Sequence, residues 1–354
     1  MNNNVKYWDN AASTPMDIRV FEAMTPYFIE SYANPNSNHI FGKTANEAVD
    51  ISRKNVARLI NADVNQIIYT SGSTESINIV LKGYVEANKD KGNHIITTKI
   101  EHKAVINTCE FLESKGIEVT YLDVNSNGLI DINQLENSIS DKTLLICIML
   151  VNNETGVIED LKSITKIAHR YGVPVFSDST QAVGKIIIDV NDLDLDFMCF
   201  SGHKINGPKG IGVLYKKEFL KLDPLFHGGN QESNLRPGTL NVPAIVGVGK
   251  ACEIIYQEFD KIKAQKEQIK KEIIELFNSN KWGVENFLNV SKVPNIISIK
   301  LTNQIEAEDF LIINRNNFAA STGSACNSNI IEPSHVIKAL FREDEQDKII
   351  RISI

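Results

Sequence analysis

Short apolar runs rich in β-branched residues alternate with helical patterns from about residue 44 to residue 215. In chain order the runs are QIIYT (66–70), HIITT (94–98), IEVTYL (117–122), TLLICIML (143–150), VPVFSD (173–178) and DFMCFS (196–201). This alternation is typical of a doubly wound, mainly parallel sheet. A seventh run, IGVLY (211–215), follows a Gly-rich loop that is too short for a crossover helix, so it predicts an antiparallel strand.

The later part of the chain has a different pattern. A long helical pattern covers residues 242–280 and ends in EQIKKEIIELFN, whose length and alternating charges suit a helix that joins two domains. A strand pattern, NIISIKL (295–301), and a helical pattern, EAEDFLIIN (306–314), then indicate a small α/β unit.

The size of the chain fits a division into two domains. Its 354 residues, of which 42% are hydrophobic, are enough to bury a large core. We therefore predict an α/β protein with a large domain over residues 14–258 and a small domain formed by residues 1–13 and 259–354.

Charge and cysteine usage disfavour several classes of protein. The formal net charge of -7 provides no broad cationic surface, so direct binding to nucleic acid is not expected. The five cysteines show no C-x-x-C spacing, which favours neither a metal site nor a disulfide framework and fits a reducing cytoplasm. The start, MNNNVKYWDN, has no apolar signal-peptide core, and no apolar run reaches the ~18 residues of a membrane span. We expect a cytoplasmic protein.

The sequence DFMCFSGHKINGPKGIGVLY joins two predicted strands through a loop that contains Lys204. A lysine that bonds covalently to an aldehyde cofactor needs a constrained loop at the carboxyl edge of a sheet, with hydroxyl and imidazole neighbours. Ser201 and His203 are such neighbours. A single loop lysine is usually a solvated residue, so the assignment depends on the surrounding pattern.

Two upstream segments suit the same kind of cofactor. The strand VPVFSD ends on Asp178, an acid that can keep a pyridinium nitrogen protonated and so strengthen the ring as an electron sink. The segment QIIYTSGSTESIN is a strand, a turn and a helix start, where free N–H groups and the hydroxyls of Ser73 and Thr74 suit a phosphate. Each signal is weak alone, because Ser and Thr are also common helix caps.

Together these segments resemble the class V aminotransferases and, within them, the cysteine desulfurases of the NifS/IscS type. The matching motifs are YWDNAASTP (7–15), YTSGSTES (69–76), TKIEHKAV (98–105), VNNETGV (151–157), DSTQAVGK (178–185), SGHKINGPKGIG (201–212), HGGNQESNLRPGTLN (227–241) and STGSACNS (321–328). The resemblance implies fold type I of the transferases that depend on pyridoxal 5'-phosphate (PLP), with a seven-stranded, mainly parallel sheet. It also implies PLP as cofactor, L-cysteine as substrate, a homodimer and no metal.

The resemblance assigns a role to each matching residue. Lys204 would bond covalently to PLP and then act as the base, while Asp178 would pair with the pyridine nitrogen and Gln181 with the ring hydroxyl. His102 would stack on the ring and exchange protons with the substrate thiol. The residues implied for the phosphate are Ser73, Thr74, Ser201, His203 and, from the partner subunit, Thr239; those implied for the substrate carboxylate are Asn153, which also borders the cofactor, and Arg351.

Two of these residues also have simpler interpretations. His102, in EHKAV, has the position of a surface residue near a helix start. Arg351, in KIIRISI, has the position of one exposed charge on an edge strand. Both roles therefore rest on the resemblance.

Cys326 separates a desulfurase from other enzymes of this fold. It lies in STGSACNSNIIEPS, a loop of small and polar residues that suits an accessible thiol. Cys147 and Cys199 lie in apolar strand patterns, and Cys109 and Cys252 in helical patterns, so we expect these four to be packing residues. The resemblance implies that the Cys326 thiolate attacks the substrate sulfur, which leaves alanine and a persulfide for an acceptor protein.

Three alternatives share the scaffold. A plain transaminase needs no thiol, so Cys326 disfavours it. A selenocysteine lyase is harder to distinguish, since its substrate differs from cysteine at one atom. A non-catalytic scaffold subunit would not require the whole set of catalytic residues. The acceptor also stays open, because iron–sulfur cluster assembly, tRNA thiolation and DNA phosphorothioation all draw on desulfurases of this type.

Overall fold

The computed structural model describes residues 5–302, 304–323 and 332–354. Within these ranges the strands are β1 (Lys6–Tyr7), β2 (Ile67–Thr70), β3 (His94–Thr98), β4 (Glu118–Leu122), β5 (Thr143–Cys147), β6 (Val175–Asp178), β7 (Phe197–Ser201), β8 (Gly212–Lys216), β9 (Gly283–Glu285), β10 (Ile296–Leu301), β11 (Phe318–Ala319) and β12 (Ile349–Ser353). The helices are α1 (Ile18–Met24), α2 (Pro26–Ile29), α3 (Ile40–Ile60), α4 (Ser73–Asn88), α5 (Lys103–Glu113), α6 (Ile132–Ser138), α7 (Leu161–Arg170), α8 (Val242–Ser279), α9 (Ala307–Asn314), α10 (His335–Leu340) and α11 (Glu343–Gln346).

The large sheet has seven strands in the order β2-β8-β7-β6-β5-β3-β4. Neighbouring strands are parallel except that β8 runs antiparallel to both β2 and β7. Every residue of β2, β3, β5, β6 and β7 is buried, as expected where helices cover both faces of a sheet. The predicted sheet, including its antiparallel strand, is confirmed.

One predicted strand is shorter than expected. The apolar run 143–150 predicts a strand to its end, but β5 stops at Cys147. Residues 148–150 still lie beside β6, since the N–H of Ile148 donates to the carbonyl oxygen of Phe176 at 3.0 Å. On the other side β3 ends at Thr98, so the last residues of the run have a neighbouring strand on one side only.

Helix α8 is the long helix that the sequence predicts. It has 38 residues and begins after Asn241, whose side chain accepts the N–H of Ala244. Its first half packs into the apolar cluster under the large sheet, while Ile273 and Phe277 belong to a separate cluster. No helix in the described ranges is long and apolar enough to cross a membrane.

The separate cluster surrounds two small sheets. One has the order β12-β10-β9 and is antiparallel, and the other pairs β1 with β11. Trp8 stacks on Phe318 with ring centroids 4.8 Å apart, so the N-terminal segment packs with the C-terminal part of the chain. The division into two domains with the boundaries given above stays a prediction.

Candidate active site

A cavity of about 240 Å³ lies at the carboxyl edge of the large sheet. Parallel strands bring their carboxyl ends together, and here β2, β3, β5, β6 and β7 each lead into a residue that lines the cavity. It holds all of the predicted site residues except Thr239 and Cys326: Ser73, Thr74, His102, Asn153, Asp178, Gln181, Ser201, His203, Lys204 and Arg351.

The two remaining residues are placed differently. Thr239 is exposed and does not line the cavity. Cys326 lies outside the described residues. Ser321 and Ser334 are described residues before and after Cys326 in the sequence. The backbone N–H of Arg351 donates to the carbonyl oxygen of Ser321 at 2.7 Å. Ser334 donates its hydroxyl to Glu154, the neighbour of Asn153, at 2.5 Å.

One end of the cavity carries hydroxyl groups at a helix start. The backbone N–H of Ser73, the first residue of α4, donates to the Ser201 hydroxyl at 2.8 Å. The Ser73 oxygen lies 2.9 Å from the Ser201 oxygen and 2.6 Å from the Thr180 oxygen. A Cβ on Gly212 would lie 2.5 Å from the Cα of Gly72, so glycine is required where β8 passes this turn. The positive end of the helix and the three hydroxyls suit a phosphate.

Lys204 ends the short 3-10 turn Gly202–Lys204 that follows β7. Its Nζ donates to the carbonyl oxygen of Ala12 at 2.7 Å and to that of Ala11. A Cβ on Gly202 would lie 2.9 Å from the carbonyl oxygen of Pro208, so the loop can close this tightly only with glycine. The amine is thus held at the cavity wall by the N-terminal segment.

His102 is neutral near neutral pH. Burial lowers the pKa of its imidazole, and the charge of Lys204 adds to this against the opposing charge of Asp178. Its Nδ1 accepts the N–H of Ala104 at 3.1 Å, so the neutral ring carries its proton on Nε2. The neutral ring can therefore take up a proton within the cavity and release it again. A group that stays charged at every working pH cannot do this.

His203 is neutral as well. Burial lowers the pKa of His203 to about 4, and the neighbouring charges of Lys204 and Lys209 contribute. Its Nδ1 lies 3.3 Å from the hydroxyl of Ser13. A neutral imidazole beside the serine hydroxyls provides a hydrogen-bond donor rather than a full positive charge.

An acid and an amide lie on one wall of the cavity. Asp178 is the last residue of β6 and is buried, and its carboxylate accepts the N–H of Thr180 at 3.0 Å. The Nε2 of Gln181 donates to the carbonyl oxygen of Ala11 at 3.0 Å. The wall thus offers a negative charge and an oriented amide, which suits a ring that carries both a nitrogen and a hydroxyl group.

Arg351 is buried, whereas the simpler interpretation of its strand expected an exposed charge. β12 is an edge strand, but Arg351 is only 3% exposed, so the expectation of an exposed charge is wrong. Its Nη2 donates to Asp9 at 2.8 Å and its Nη1 to the carbonyl oxygen of Asn153 at 3.1 Å. Within the described part of the chain, the buried Nε of Arg351 and Oδ1 of Asn153 have no hydrogen-bond partner. Such groups are costly to leave unpaired, which points to a ligand.

The four cysteines that the structure describes are all buried, as predicted. Burial raises the pKa of Cys109 to about 12 and also raises the pKa values of Cys147, Cys199 and Cys252. A thiol attacks as its thiolate, so these four are unsuited to nucleophilic chemistry at neutral pH.

Five cavity residues were not predicted from the sequence: Ala11, Ala12, Met149, Val151 and Thr180. Ala11 and Ala12 contact Lys204 through backbone carbonyl groups, and Thr180 contributes a hydroxyl. The alanines lie in YWDNAASTP and Thr180 in DSTQAVGK, so the motifs marked the right segments. A carbonyl group is present at every residue, however, and no residue type could have signalled its role.

Comparisons with known proteins agree with this site. The class-V aminotransferase family matches residues 6–354. The cysteine desulfurase IscS of Methanosarcina thermophila is 44% identical over 339 residues, which cover 95% of this chain and 83% of that protein. A solved NifS-like protein superposes with a TM-score of 0.91 at 34% identity and covers 99% of this chain and 93% of its own. A solved structure of SspA in complex with cysteine has a TM-score of 0.90 at 37% identity, with 99% of both chains covered. The chain therefore belongs to the class-V aminotransferase family, among its cysteine desulfurases of the NifS/IscS type.

Proposed function

We propose that this protein removes sulfur from L-cysteine with the help of PLP, releases L-alanine and retains the sulfur as a persulfide on Cys326. The observation that carries the proposal is the single cavity that joins a phosphate-binding helix start, a lysine, an acid and a buried arginine. In this reading the enzyme works in the cytoplasm and hands its sulfur to an acceptor protein.

The residues present fit PLP. The hydroxyls at the start of α4 would hold its phosphate, together with His203. Asp178 would pair with the ring nitrogen and Gln181 with the ring hydroxyl, while the neutral ring of His102 would stack on the cofactor. When bound, PLP supplies an electron sink that makes the Cα–H bond of an amino acid acidic.

The unpaired groups on the other side of the cavity would hold the substrate. A carboxylate offers the acceptors that the Nε of Arg351 lacks. Asn153, whose backbone carbonyl oxygen accepts from Arg351, would donate to the same carboxylate through the N–H₂ end of its side chain. Charge-assisted hydrogen bonds of this kind orient an amino acid as well as bind it. Lys204 lines the same cavity as Arg351, so one substrate molecule would contact both residues.

Two residues would move protons. The Lys204 amine, once it no longer holds the cofactor, takes the proton from the substrate Cα and later returns one to the product. His102 exchanges the proton of the substrate thiol, for which its lowered pKa keeps the ring neutral and available.

Cys326 would be the sulfur acceptor within the protein. Its thiolate attacks the substrate sulfur, the Cβ–S bond breaks, and the persulfide stays on Cys326 while the three-carbon product is protonated to alanine. The other cysteines are buried in the described structure, so none of them competes for this role. A thiol of the acceptor protein finally removes the terminal sulfur.

The active form in this proposal is a homodimer. Large apolar side chains that are each more than half exposed crowd the N-terminal helices: Ile18, Phe21, Phe28, Ile29, Tyr32, Ile40 and Phe41. An apolar patch of this extent is typical of a surface that another protein covers. A second copy would also bring its exposed Thr239 toward the phosphate end of the cavity, where this chain's own Thr239 does not reach.

We expect Ile29→Asp to weaken the dimer, because it places a charge in the apolar patch. The dissociation constant of the dimer rises at least about tenfold, the effect of losing one well-packed contact, and PLP affinity falls with it. Sedimentation at several protein concentrations measures the first effect. Ile313→Asp, at a position on α9 that is also more than half exposed, is the control and leaves the dimer intact. Equal dissociation constants for the two variants would contradict this interface.

We expect Arg351→Ala to raise the KM for L-cysteine by about 10- to 100-fold, because the charge-assisted bonds to the carboxylate are lost. Arg351→Lys retains a charge but not the planar fork and should lie in between. Initial rates of alanine formation over a range of cysteine concentrations measure this. Since Arg351 also pairs with Asp9, thermal unfolding is measured in parallel. A fall in kcat alone, with KM unchanged, would show that Arg351 does not bind the substrate.

The proposed function is tested with the purified protein, PLP and L-cysteine. We expect a visible absorption band when PLP binds, and alanine and sulfide in equal amounts when a reducing thiol is supplied. L-selenocysteine and L-alanine serve as alternative substrates: preference for the first would favour a selenocysteine lyase, and formation of pyruvate from the second would favour a transaminase. A visible band without alanine from cysteine would rule out the proposal.

A further inference from the structure

Lys185 lies behind the wall of the active-site cavity. Ala11, Gln181 and Lys204 line both this cavity and a second one of about 100 Å³. Lys185 lines the second cavity, and it also faces an outer cavity of about 660 Å³ that opens to the surface. The wall that carries the proposed cofactor contacts is therefore backed by a second lysine.

A chain of hydrogen bonds connects the two lysines. The Nζ of Lys185 donates to the Oε1 of Gln181 at 2.8 Å. The Nε2 of Gln181 donates to the carbonyl oxygen of Ala11, which also accepts from the Nζ of Lys204. Because an ammonium group can only donate, Lys185 determines which end of the Gln181 amide faces it. The N–H₂ end is then held at the wall of the active-site cavity.

The surroundings of Lys185 disfavour its charge. Burial lowers the pKa of Lys185 to about 7, with further contributions from the charges of Lys204 and Lys266. Both the charged and the neutral form of the amine can donate an N–H to the Gln181 oxygen.

Other charged groups face Lys185 from the outer cavity. Helix α8 contributes Lys263, Glu267, Lys270, Lys271 and Glu275. Lys270 and Lys292 both pair with Glu285 at 2.6 Å. The groups that shift the pKa of Lys185 are nevertheless the two lysines of the inner side, Lys204 and Lys266.

We propose that Lys185 is a positioning residue that aims the Gln181 amide at the ring hydroxyl of PLP. The inference rests on the proposed cofactor site. It assigns a function to the last residue of the motif DSTQAVGK, which the proposed chemistry does not otherwise use.

The test compares Lys185→Met, which removes the amine, with Lys185→Arg, which keeps a donor and a permanent charge. Each protein is stripped of cofactor and titrated with PLP, and the visible absorbance measures binding. Lys185→Met should bind PLP about 3- to 10-fold more weakly, because Gln181 loses its partner. Lys185→Arg should keep the affinity for PLP, because it restores a donor to Gln181.

Two further measurements make the outcome decisive. Lys185→Gln is a second neutral variant and should also bind PLP more weakly. Thermal unfolding of the cofactor-free proteins reports any loss of stability, which a merely structural lysine would cause without weakening PLP binding. Unchanged PLP affinity in both neutral variants would overturn this inference alone. Failure of the unmodified protein to develop a visible band with PLP would overturn the proposed function, and this inference with it.

Discussion

Cys326→Ala lowers persulfide and alanine formation from L-cysteine by at least about 10³-fold, since no other group replaces a lost nucleophile. The visible PLP band stays, because Cys326 has no part in the proposed cofactor contacts. The amounts of alanine and sulfide, together with the absorption spectrum, measure both effects.

The matched control is Cys252→Ala, which changes a cysteine that α8 buries and whose pKa is raised by burial. It should retain the reaction. Undiminished alanine and sulfide formation by Cys326→Ala would show that another group accepts the sulfur, and the desulfurase mechanism would have to be redrawn.

Lys204→Ala loses the covalent bond to PLP and lowers the rate with L-cysteine by at least about 10⁴-fold, because one residue provides both the cofactor link and the base. Borohydride reduction followed by intact-protein mass spectrometry detects the link. The unmodified protein should gain the mass of one reduced cofactor, and the variant should gain none.

Lys209→Ala is the control for this experiment. Lys209 lies in the same Gly-rich loop and is exposed. It should leave both the mass gain and the rate unchanged. If Lys204→Ala still gained the cofactor mass, another lysine of the wall would hold PLP, and Lys185 would be the first to examine.

The sequence predicts the large sheet well for a physical reason. Five of its seven strands are buried along their whole length, so their segments stand out as runs rich in apolar residues. The loop between β7 and β8 is too short to allow a parallel return. The end of β5 is less predictable, because it depends on where its neighbour β3 stops rather than on its own residues.

The active-site cavity could also be predicted only in part. Residues at strand ends carry distinctive side chains within recognisable motifs, and the structure brings ten of them together. Contacts between segments that lie far apart in the sequence cannot be predicted from local sequence patterns. Lys204 binds carbonyl groups of Ala11 and Ala12, which lie 193 and 192 residues away, and the burial of Arg351 depends on Asp9, 342 residues away.

A single turnover with L-cysteine would show directly whether Cys326 receives the sulfur. The PLP-loaded protein is mixed with one equivalent of L-cysteine without a reducing thiol, and then digested and weighed. We predict one alanine released for each sulfur atom gained, with the extra sulfur on the peptide that contains Cys326. Alanine formation with no sulfur on that peptide, or sulfur on a peptide that contains another cysteine, would rule out Cys326 as the sulfur acceptor.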